Sequence, residues 1–151
     1  MGNASQWAGL LQTANCKLLP EHTMLTGEIQ VRVRYAETDR MGLLHHANYL
    51  VYFEQARTEL LRDQGRTYKD IEDQGYYLVI AKIEIKYRSP AHYDDLLTIR
   101  TTVTRTSPIR LEHKYEVFRT GTLIAEGTST LACVDREGKL QAMPDWLSGP
   151  Q

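Results

Sequence analysis

The sequence of 151 residues is long enough to form one domain with its own hydrophobic core. Its net charge of −1 and isoelectric point near 6.5 predict no nucleic-acid partner, because such proteins usually need a basic surface. No apolar run is long enough to span a bilayer, and no secretory signal is recognisable. The two cysteines, Cys16 and Cys133, form no CxxC pair. We therefore expect a cytoplasmic protein without a membrane span.

The clear structural pattern begins after the first 26 residues. Residues 1–26 have no sustained periodicity and are assigned to an N-terminal extension, either a short helix or a mobile tail. Residues 27–151 are assigned to the folded domain. Within it, EIQVRVRY at 28–35 alternates apolar and polar residues as a half-buried strand does. This alternation predicts that Tyr35 ends the strand on its apolar face.

A long helix is predicted next, followed by a series of strands. The helix covers ANYLVYFEQARTELLRDQG at 47–65, with Asn48 as its N-cap and Gly65 at its end. A shorter helix, TYKDIEDQG, follows it and also ends at a glycine. The remaining chain alternates with the period of strands. The main strand segments are VIAKIEIKYR, LLTIRTTVTR, IRLEHKYEVF and LIAEGTSTLACV.

This order of elements predicts an α+β fold. Tight turns between successive strands require antiparallel neighbours. One antiparallel sheet of about five strands, with one long apolar helix covering its inner face, satisfies the pattern if the sheet curls around the helix. Two subunits paired edge to edge would protect the exposed edges of the sheet. His113 and Cys133 are expected to be buried within their strands.

The junction RYAETDRMGLLHHANYL, residues 34–50, carries the candidate chemistry. Asp39 fits two roles: it can cap the turn through Gly42, or it can act as a nucleophile or general base. The backbone amides of a helix N-terminus, which follows directly, suit a polarised carbonyl oxygen or an oxyanion. Glu37 is a candidate second carboxylate. His45 and His46 are adjacent and make a poor chelating pair, so no metal site is predicted.

The whole stretch resembles one protein family. VRVRYAETDRMGLLHHANYLVYFEQARTELLR is similar to the signature of hotdog-fold acyl-CoA thioesterases, the group of 4-hydroxybenzoyl-CoA thioesterase and YbgC-like enzymes. IKYRSPAHYDDLLTIRTTV resembles a second block of that family. The resemblance covers about residues 28 to 146. It implies a hotdog fold, hydrolysis of acyl-CoA without a metal or bound cofactor, and a homodimer that commonly pairs into a homotetramer.

The resemblance also assigns roles to individual residues. Asp39 matches the catalytic carboxylate, and Tyr35 and His46 match its active-site neighbours. The amides that polarise the thioester carbonyl fall at Ala47, Asn48 and Tyr49. Arg88, in YRSP, is our candidate for the phosphates of coenzyme A.

Two other functions remain open alongside hydrolysis. A hotdog hydratase or dehydratase needs a different arrangement of histidine and acid, which ETDRMG does not match. A non-catalytic module that binds acyl thioesters would not need Asp39, so the carboxylate favours catalysis. The acyl group and the donor, coenzyme A or acyl carrier protein, are left undetermined by the residues.

Overall fold

One curled antiparallel sheet forms the framework of the computed structural model, which describes residues 24–148. The strands are β1 (Thr26–Arg32), β2 (Tyr77–Tyr87), β3 (Leu96–Thr106), β4 (Arg110–Arg119) and β5 (Thr122–Val134). Their order across the sheet is β1-β3-β4-β5-β2, so β1 and β2 are the edges. The predictions for residues 1–23, including Cys16, lie outside the described residues.

Within residues 24–148, three helices accompany the sheet, and the first is the longest. They are α1 (Asn48–Asp63), α2 (Tyr68–Asp73) and α3 (Asp145–Ser148). The predicted end of α1 is confirmed, because Gly65 follows it with a φ of 78°, a conformation that glycine adopts without strain. Within residues 24–148, no helix combines the length and apolarity needed to cross a membrane.

Helix α1 buries one apolar face against β1 and β3. The buried side chains recur at the spacing that places them on one side of a helix. They are Tyr49, Tyr52, Phe53, Ala56 and Leu60. The ring of Phe53 stacks in parallel on Tyr115 of β4, with 4.2 Å between the ring centroids. The aromatic residues of α1 therefore form much of the contact between helix and sheet.

The close approach of α1 to β5 depends on Gly127. A Cβ atom added at this position would lie 2.7 Å from Phe53 Cε2 and 2.7 Å from the carbonyl oxygen of Glu84. Both contacts are far inside normal van der Waals distance. Glycine therefore lets the Phe53 ring rest directly on the strand.

A second buried cluster closes the other end of the molecule. It joins α2, α3 and the sheet through Ile71, Leu111, Leu131, Cys133, Met143, Trp146 and Leu147. The predicted burial of His113 and Cys133 is confirmed. Burial also raises the pKa of the Cys133 thiol. This thiol is thus a small core side chain rather than a reactive group.

The prediction that Tyr35 ends a strand on its apolar face is wrong. β1 stops before Val33, whose amide donates to the carbonyl of Asp95 (2.9 Å) and whose carbonyl accepts from the amide of Asp94 (3.0 Å). The chain then turns through a 3-10 helix, Tyr35–Glu37. The Tyr35 side chain is 78% exposed as a result.

The prediction that Asn48 caps α1 is also wrong. Ala47 occupies the cap position, and Asn48 is the first residue of the helix. The Asn48 side-chain amide donates to the carbonyl of Glu37 instead (2.9 Å). Asn48 therefore ties the helix start to the preceding turn.

Candidate active site

Asp39 organises the turn between β1 and α1. Its Oδ1 accepts hydrogen bonds from the amides of Met41 (2.8 Å) and Leu43 (3.1 Å). Its own amide donates to the Leu43 carbonyl (2.8 Å), and Gly42 has a φ of 79°. The capping role expected of Asp39 is confirmed. Its other carboxylate oxygen, Oδ2, has no hydrogen-bond partner among residues 24–148.

The same turn occurs a second time, at DREGK after β5. Oδ1 of Asp135 accepts from the amides of Glu137 and Lys139, both at 2.9 Å. The Asp135 amide donates to the Lys139 carbonyl (2.8 Å), and Gly138 has a φ of 82°. The turn therefore does not by itself mark a functional site. What distinguishes Asp39 is its surroundings.

Glu37 connects the Asp39 turn to the start of α1 through its backbone. Its carbonyl accepts from the amide of His45 (2.9 Å) and from the side chain of Asn48 (2.9 Å). These two bonds join the beginning and the end of the loop that contains Asp39. The loop is therefore held closed against the helix.

The carboxylate of Glu37 is buried, with only 7% of the residue exposed. Burial alone would raise its pKa, but the Tyr52 hydroxyl donates to Oε2 (2.6 Å) and the Arg34 amide donates to the same oxygen (2.9 Å). The Arg34 guanidinium adds a third, charged partner. Together these donors hold the pKa of Glu37 below its usual value. Glu37 is thus a structural anion rather than a second catalytic carboxylate.

The amides at the start of α1 differ in whether they have acceptors. The Ala47 amide donates to Nδ1 of His45 (3.1 Å), and the Asn48 amide donates to the His45 carbonyl (3.0 Å). The amides of His46 and Tyr49 have no acceptor within the described part of the chain. These two amides are therefore free to donate to a ligand at the helix start.

A cleft of about 290 Å³ opens beside this helix start. It is lined by the Asp39 turn, the first turn of α1 and the end of β2, through Asp39, Leu43, Leu44, His46, Tyr49, Tyr87, Arg88, Ser89 and Pro90. Tyr49 is buried at its base, and burial raises the pKa of this hydroxyl. The cleft thus offers one carboxylate and a helix start to the same space.

The cleft brings together four of the predicted site residues: Asp39, His46, Tyr49 and Arg88. Ala47 and Asn48 lie next to it in the chain but do not line it. Tyr35 does not line it either; its ring meets the edge of Tyr93, with 5.7 Å between centroids.

Arg88 lines the cleft and is half-exposed. Its guanidinium pairs with Glu126 at 2.8 Å and holds the pKa of that carboxyl below its usual value. The lining of the cleft therefore includes one arginine.

A larger groove of about 680 Å³ runs between β1 and α1, but it does not contain Asp39. Its walls are mostly polar and charged side chains such as Arg32, Glu54 and Arg62. Glu37 touches this groove, yet its carboxylate is fully engaged with Arg34 and Tyr52. We therefore place the candidate chemistry in the smaller cleft.

Comparison with known families identifies the family to which this chain belongs. The family model described as the thioesterase-like superfamily matches residues 33–150, which include the Asp39 turn, α1 and the cleft. The chain belongs to the thioesterase-like superfamily. The resemblance found in its sequence motifs is confirmed.

Relatives of this thioesterase-family protein match most of its length. YneP of Bacillus subtilis is 37% identical, over 78% of this chain and 89% of the relative. The acyl-CoA thioesterase YbgC of Haemophilus influenzae is 36% identical, over 70% of this chain and 78% of the relative. The structure of the DHNA-CoA thioesterase from Staphylococcus aureus matches with a TM-score of 0.76 and 30% identity, covering 80% of this chain and 81% of that one. These matches confirm the five-stranded hotdog sheet.

The motif that this family member shares also contains a residue whose role the sequence did not disclose. Glu37 stands two positions before Asp39, and Tyr52 follows it by fifteen residues. An acidic residue in a polar turn is usually solvated, so nothing local indicates burial. The available signal was Tyr52 itself, a tyrosine on the buried face of α1 whose hydroxyl needs a partner.

Proposed function

We propose that this protein hydrolyses the thioester bond of acyl-CoA substrates to a free acid and coenzyme A. The observation that carries the proposal is the cleft in which Asp39 lies beside the start of α1. Oδ1 of Asp39 is occupied by the turn, while Oδ2 has no partner among residues 24–148. One carboxylate oxygen is thus available to react, and the other fixes its direction.

The chemistry requires little more than these groups. A thioester carbonyl is poorly stabilised by resonance, and a thiolate is a good leaving group. On one route Oδ2 attacks the carbonyl carbon, the thiolate leaves, and water hydrolyses the resulting mixed anhydride. On the other, Asp39 removes a proton from water as that water attacks the carbonyl, and the C–S bond then breaks to release the thiolate. Both routes develop negative charge on the carbonyl oxygen.

Backbone amides at the helix start would stabilise this charge. We assign that role first to His46 and Tyr49, because their amides have no acceptor in the described part of the chain. Ala47 and Asn48 then serve to hold the loop, since their amides already donate to His45.

The remaining predicted residues have supporting roles in the proposal. The exposed His46 side chain reaches the cleft and can hydrogen-bond the substrate or the attacking group. Arg88 in the lining of the cleft is suited to the phosphates of coenzyme A. Tyr35 would join the site only from its exposed position, with a bound substrate or a second subunit beside it.

The names of the relatives support acyl-CoA as the substrate class. YbgC of Haemophilus influenzae is named an acyl-CoA thioesterase, and the Staphylococcus aureus structure is that of a DHNA-CoA thioesterase. A plant relative, 26% identical, is an acyl-acyl carrier protein thioesterase, so carrier-protein thioesters belong in the substrate panel. The reaction needs no metal and no bound cofactor in this scheme.

The proposal extends to assembly and location. α1 serves as the central helix of the hotdog, which its buried aromatic face supports. β2 is an edge strand that exposes Val79 and Ile80, and pairing it with a second copy would cover both. We therefore propose a homodimer, or a homotetramer built from two dimers, working in the cytoplasm.

The decisive experiment replaces Asp39 by asparagine. Asn keeps an oxygen for the amides of Met41 and Leu43 but cannot act as nucleophile or base, so we expect kcat to fall about 100-fold or more while the fold is kept. Asp135→Asn is the matched control, because it makes the same change in the same turn away from the cleft. Thiol release is followed with a disulfide reagent over short, long, branched and aromatic acyl-CoAs.

The outcomes separate catalysis from binding. If a folded Asp39→Asn protein turns over like the wild type, Asp39 is not the catalytic group. If the wild type binds acyl-CoA without releasing thiol, the protein is a non-catalytic thioester-binding module. Mass spectrometry after a rapid acid quench finds acylated Asp39 only on the nucleophilic route.

A further inference from the structure

Tyr87, the last residue of β2, forms a wall of the cleft that the proposed mechanism leaves without a role. Its hydroxyl donates to the carbonyl of His46 (2.9 Å). We propose that Tyr87 is a positioning residue, which fixes the His46 peptide and thereby directs the amides at the start of α1 toward the substrate. The inference rests on the proposed function, because it concerns the same reaction.

The backbone of Tyr87 is a firm anchor for this purpose. It pairs with Ala125 in the β2–β5 ladder, and the amides of Arg88 (2.8 Å) and Ser89 (3.0 Å) both donate to the carbonyl of Ile124. Ala125 and Ile124 are completely buried. The hydroxyl of Tyr87 therefore connects the loop to the core of the sheet.

The ring of Tyr87 is held as well. It meets the ring of Tyr49 edge to face, with 5.1 Å between centroids and 79° between planes. Tyr49 is itself buried on α1. Partial burial raises the pKa of the Tyr87 hydroxyl. Like any tyrosine hydroxyl, it is a hydrogen-bond donor at neutral pH. The side chain spans from the sheet edge to both the helix and the loop.

The carbonyl that receives this hydrogen bond lies outside the helical ladder. The amide of Leu50, in the first turn of α1, donates to the Ala47 carbonyl (3.2 Å) and not to His46. Among residues 24–148, the His46 carbonyl accepts a hydrogen bond from the Tyr87 hydroxyl and from no other group. Without it, this carbonyl would be free to reorient beside the developing oxyanion, and an unpaired carbonyl dipole would disfavour that charge.

Fixing the carbonyl of His46 also restricts its amide. The carbonyl of His46 shares one planar peptide with the amide of Ala47, which donates to Nδ1 of His45. Holding this plane at both ends fixes ψ at His46 and limits how the short loop from His46 to Tyr49 can move. The two amides without acceptors belong to these residues. Tyr87 thus acts on the reaction through the loop rather than by contact with the reacting atoms.

The test is Tyr87→Phe, which removes the hydroxyl and keeps the ring against Tyr49. We expect kcat to fall about 10-fold, the effect of one lost hydrogen bond, with KM within about twofold of the wild type. Tyr77→Phe is the matched control: Tyr77 lies at the other end of the same strand and does not line the cleft. It should leave both constants unchanged.

Amide hydrogen exchange gives the second measurement. In Tyr87→Phe, exchange should become faster for the hydrogen-bonded amides of Ala47 and Asn48, while the core strands and the melting temperature are unchanged. An unchanged kcat overturns the inference, as does a rise in KM alone, which would make Tyr87 only a substrate contact. A loss of kcat that parallels a loss of global stability overturns it too. If Asp39→Asn is inactive while Tyr87→Phe is fully active, the proposed function stands and only this inference fails.

Discussion

His113 should make the stability of this protein fall as the pH is lowered below neutrality. Only 3% of the residue is exposed, and its Nδ1 has no hydrogen-bond partner among residues 24–148. Burial, aided by the positive charge of Arg57 on α1, lowers the pKa of His113 from 6.5 to about 3. The ring stacks on Tyr115, with 5.9 Å between the ring centroids. Burial and Arg57 both lower the pKa of His113, and no carboxylate among residues 24–148 offsets them. The folded protein keeps this histidine neutral.

The sign and size of the effect follow from proton linkage. Between pH 6.5 and about 3, the unfolded chain binds a proton at His113 and the folded chain does not. The free energy of unfolding therefore decreases by about 1.4 kcal/mol for each pH unit below 6.5. Above pH 6.5 the full contribution of neutral His113 to the free energy of unfolding is present. It is lost as the pH falls from 6.5 toward 3. Over the whole window the loss is about 5 kcal/mol, comparable with the total stability of many domains.

Urea unfolding at several pH values between 7.5 and 4.5 measures this slope. His113→Phe keeps an aromatic ring against Tyr115 but has no titratable group, so its stability should decline less steeply by one proton. All carboxylates are common to both proteins, and their contributions cancel in the difference. Protein concentration is held constant because an oligomer is stabilised by association. If the stability curves of the two proteins have the same slope between pH 6.5 and 4.5, the reasoning is refuted. The vertical distance between the curves reports only the changed packing and does not enter the test.

Three further changes test other parts of the structure. Glu37→Gln should lower the free energy of unfolding by about 1–3 kcal/mol at pH 7, measured by urea unfolding, and should reduce the acid loss of stability below pH 4.5; equal stability would contradict the buried anion. Gly127→Ala should cost about 1–3 kcal/mol and be only partly rescued by Phe53→Leu, since Glu84 still clashes; a full rescue would locate the strain in the ring alone. Arg88→Gln should raise KM for acyl-CoA several-fold but not for a pantetheine thioester, and equal changes for both would exclude a phosphate contact.

The elements of the fold were predictable because their signals are local. Alternation with period two located the strands, and apolar spacing with Gly65 located α1 and its end. The prediction failed at the end of β1, which is determined by contacts with residues distant in the sequence. Alternation continues to Tyr35, but the backbone of Val33 pairs with residues 94 and 95 and the chain leaves the sheet there. The sequence of residues 28–35 gives no sign that residues 94 and 95 pair with Val33.

The site was predictable to the same extent. The spacing of Asp39 and Gly42 predicts the turn, yet Asp135 and Gly138 have the same spacing and form the equivalent turn. What makes one of them a site is a cleft wall that includes Tyr87, forty-eight residues further along the chain. The resemblance to the family motif singles out Asp39 as the candidate catalytic residue, whereas the residue types of the turn alone fit Asp135 equally well.

Capping and catalysis need not compete for Asp39. Two amides hold Oδ1 at 2.8 and 3.1 Å, and these bonds limit rotation of the carboxylate. Oδ2 then points in one direction without a further side chain to orient it, which is the preorganisation that a nucleophile or base needs. Asp39→Ala would remove the cap and the reactive oxygen together, so the two effects could not be separated. Asp39→Asn retains the cap, so an inactive but equally stable Asn variant would assign the reaction to Oδ2 and the turn to Oδ1.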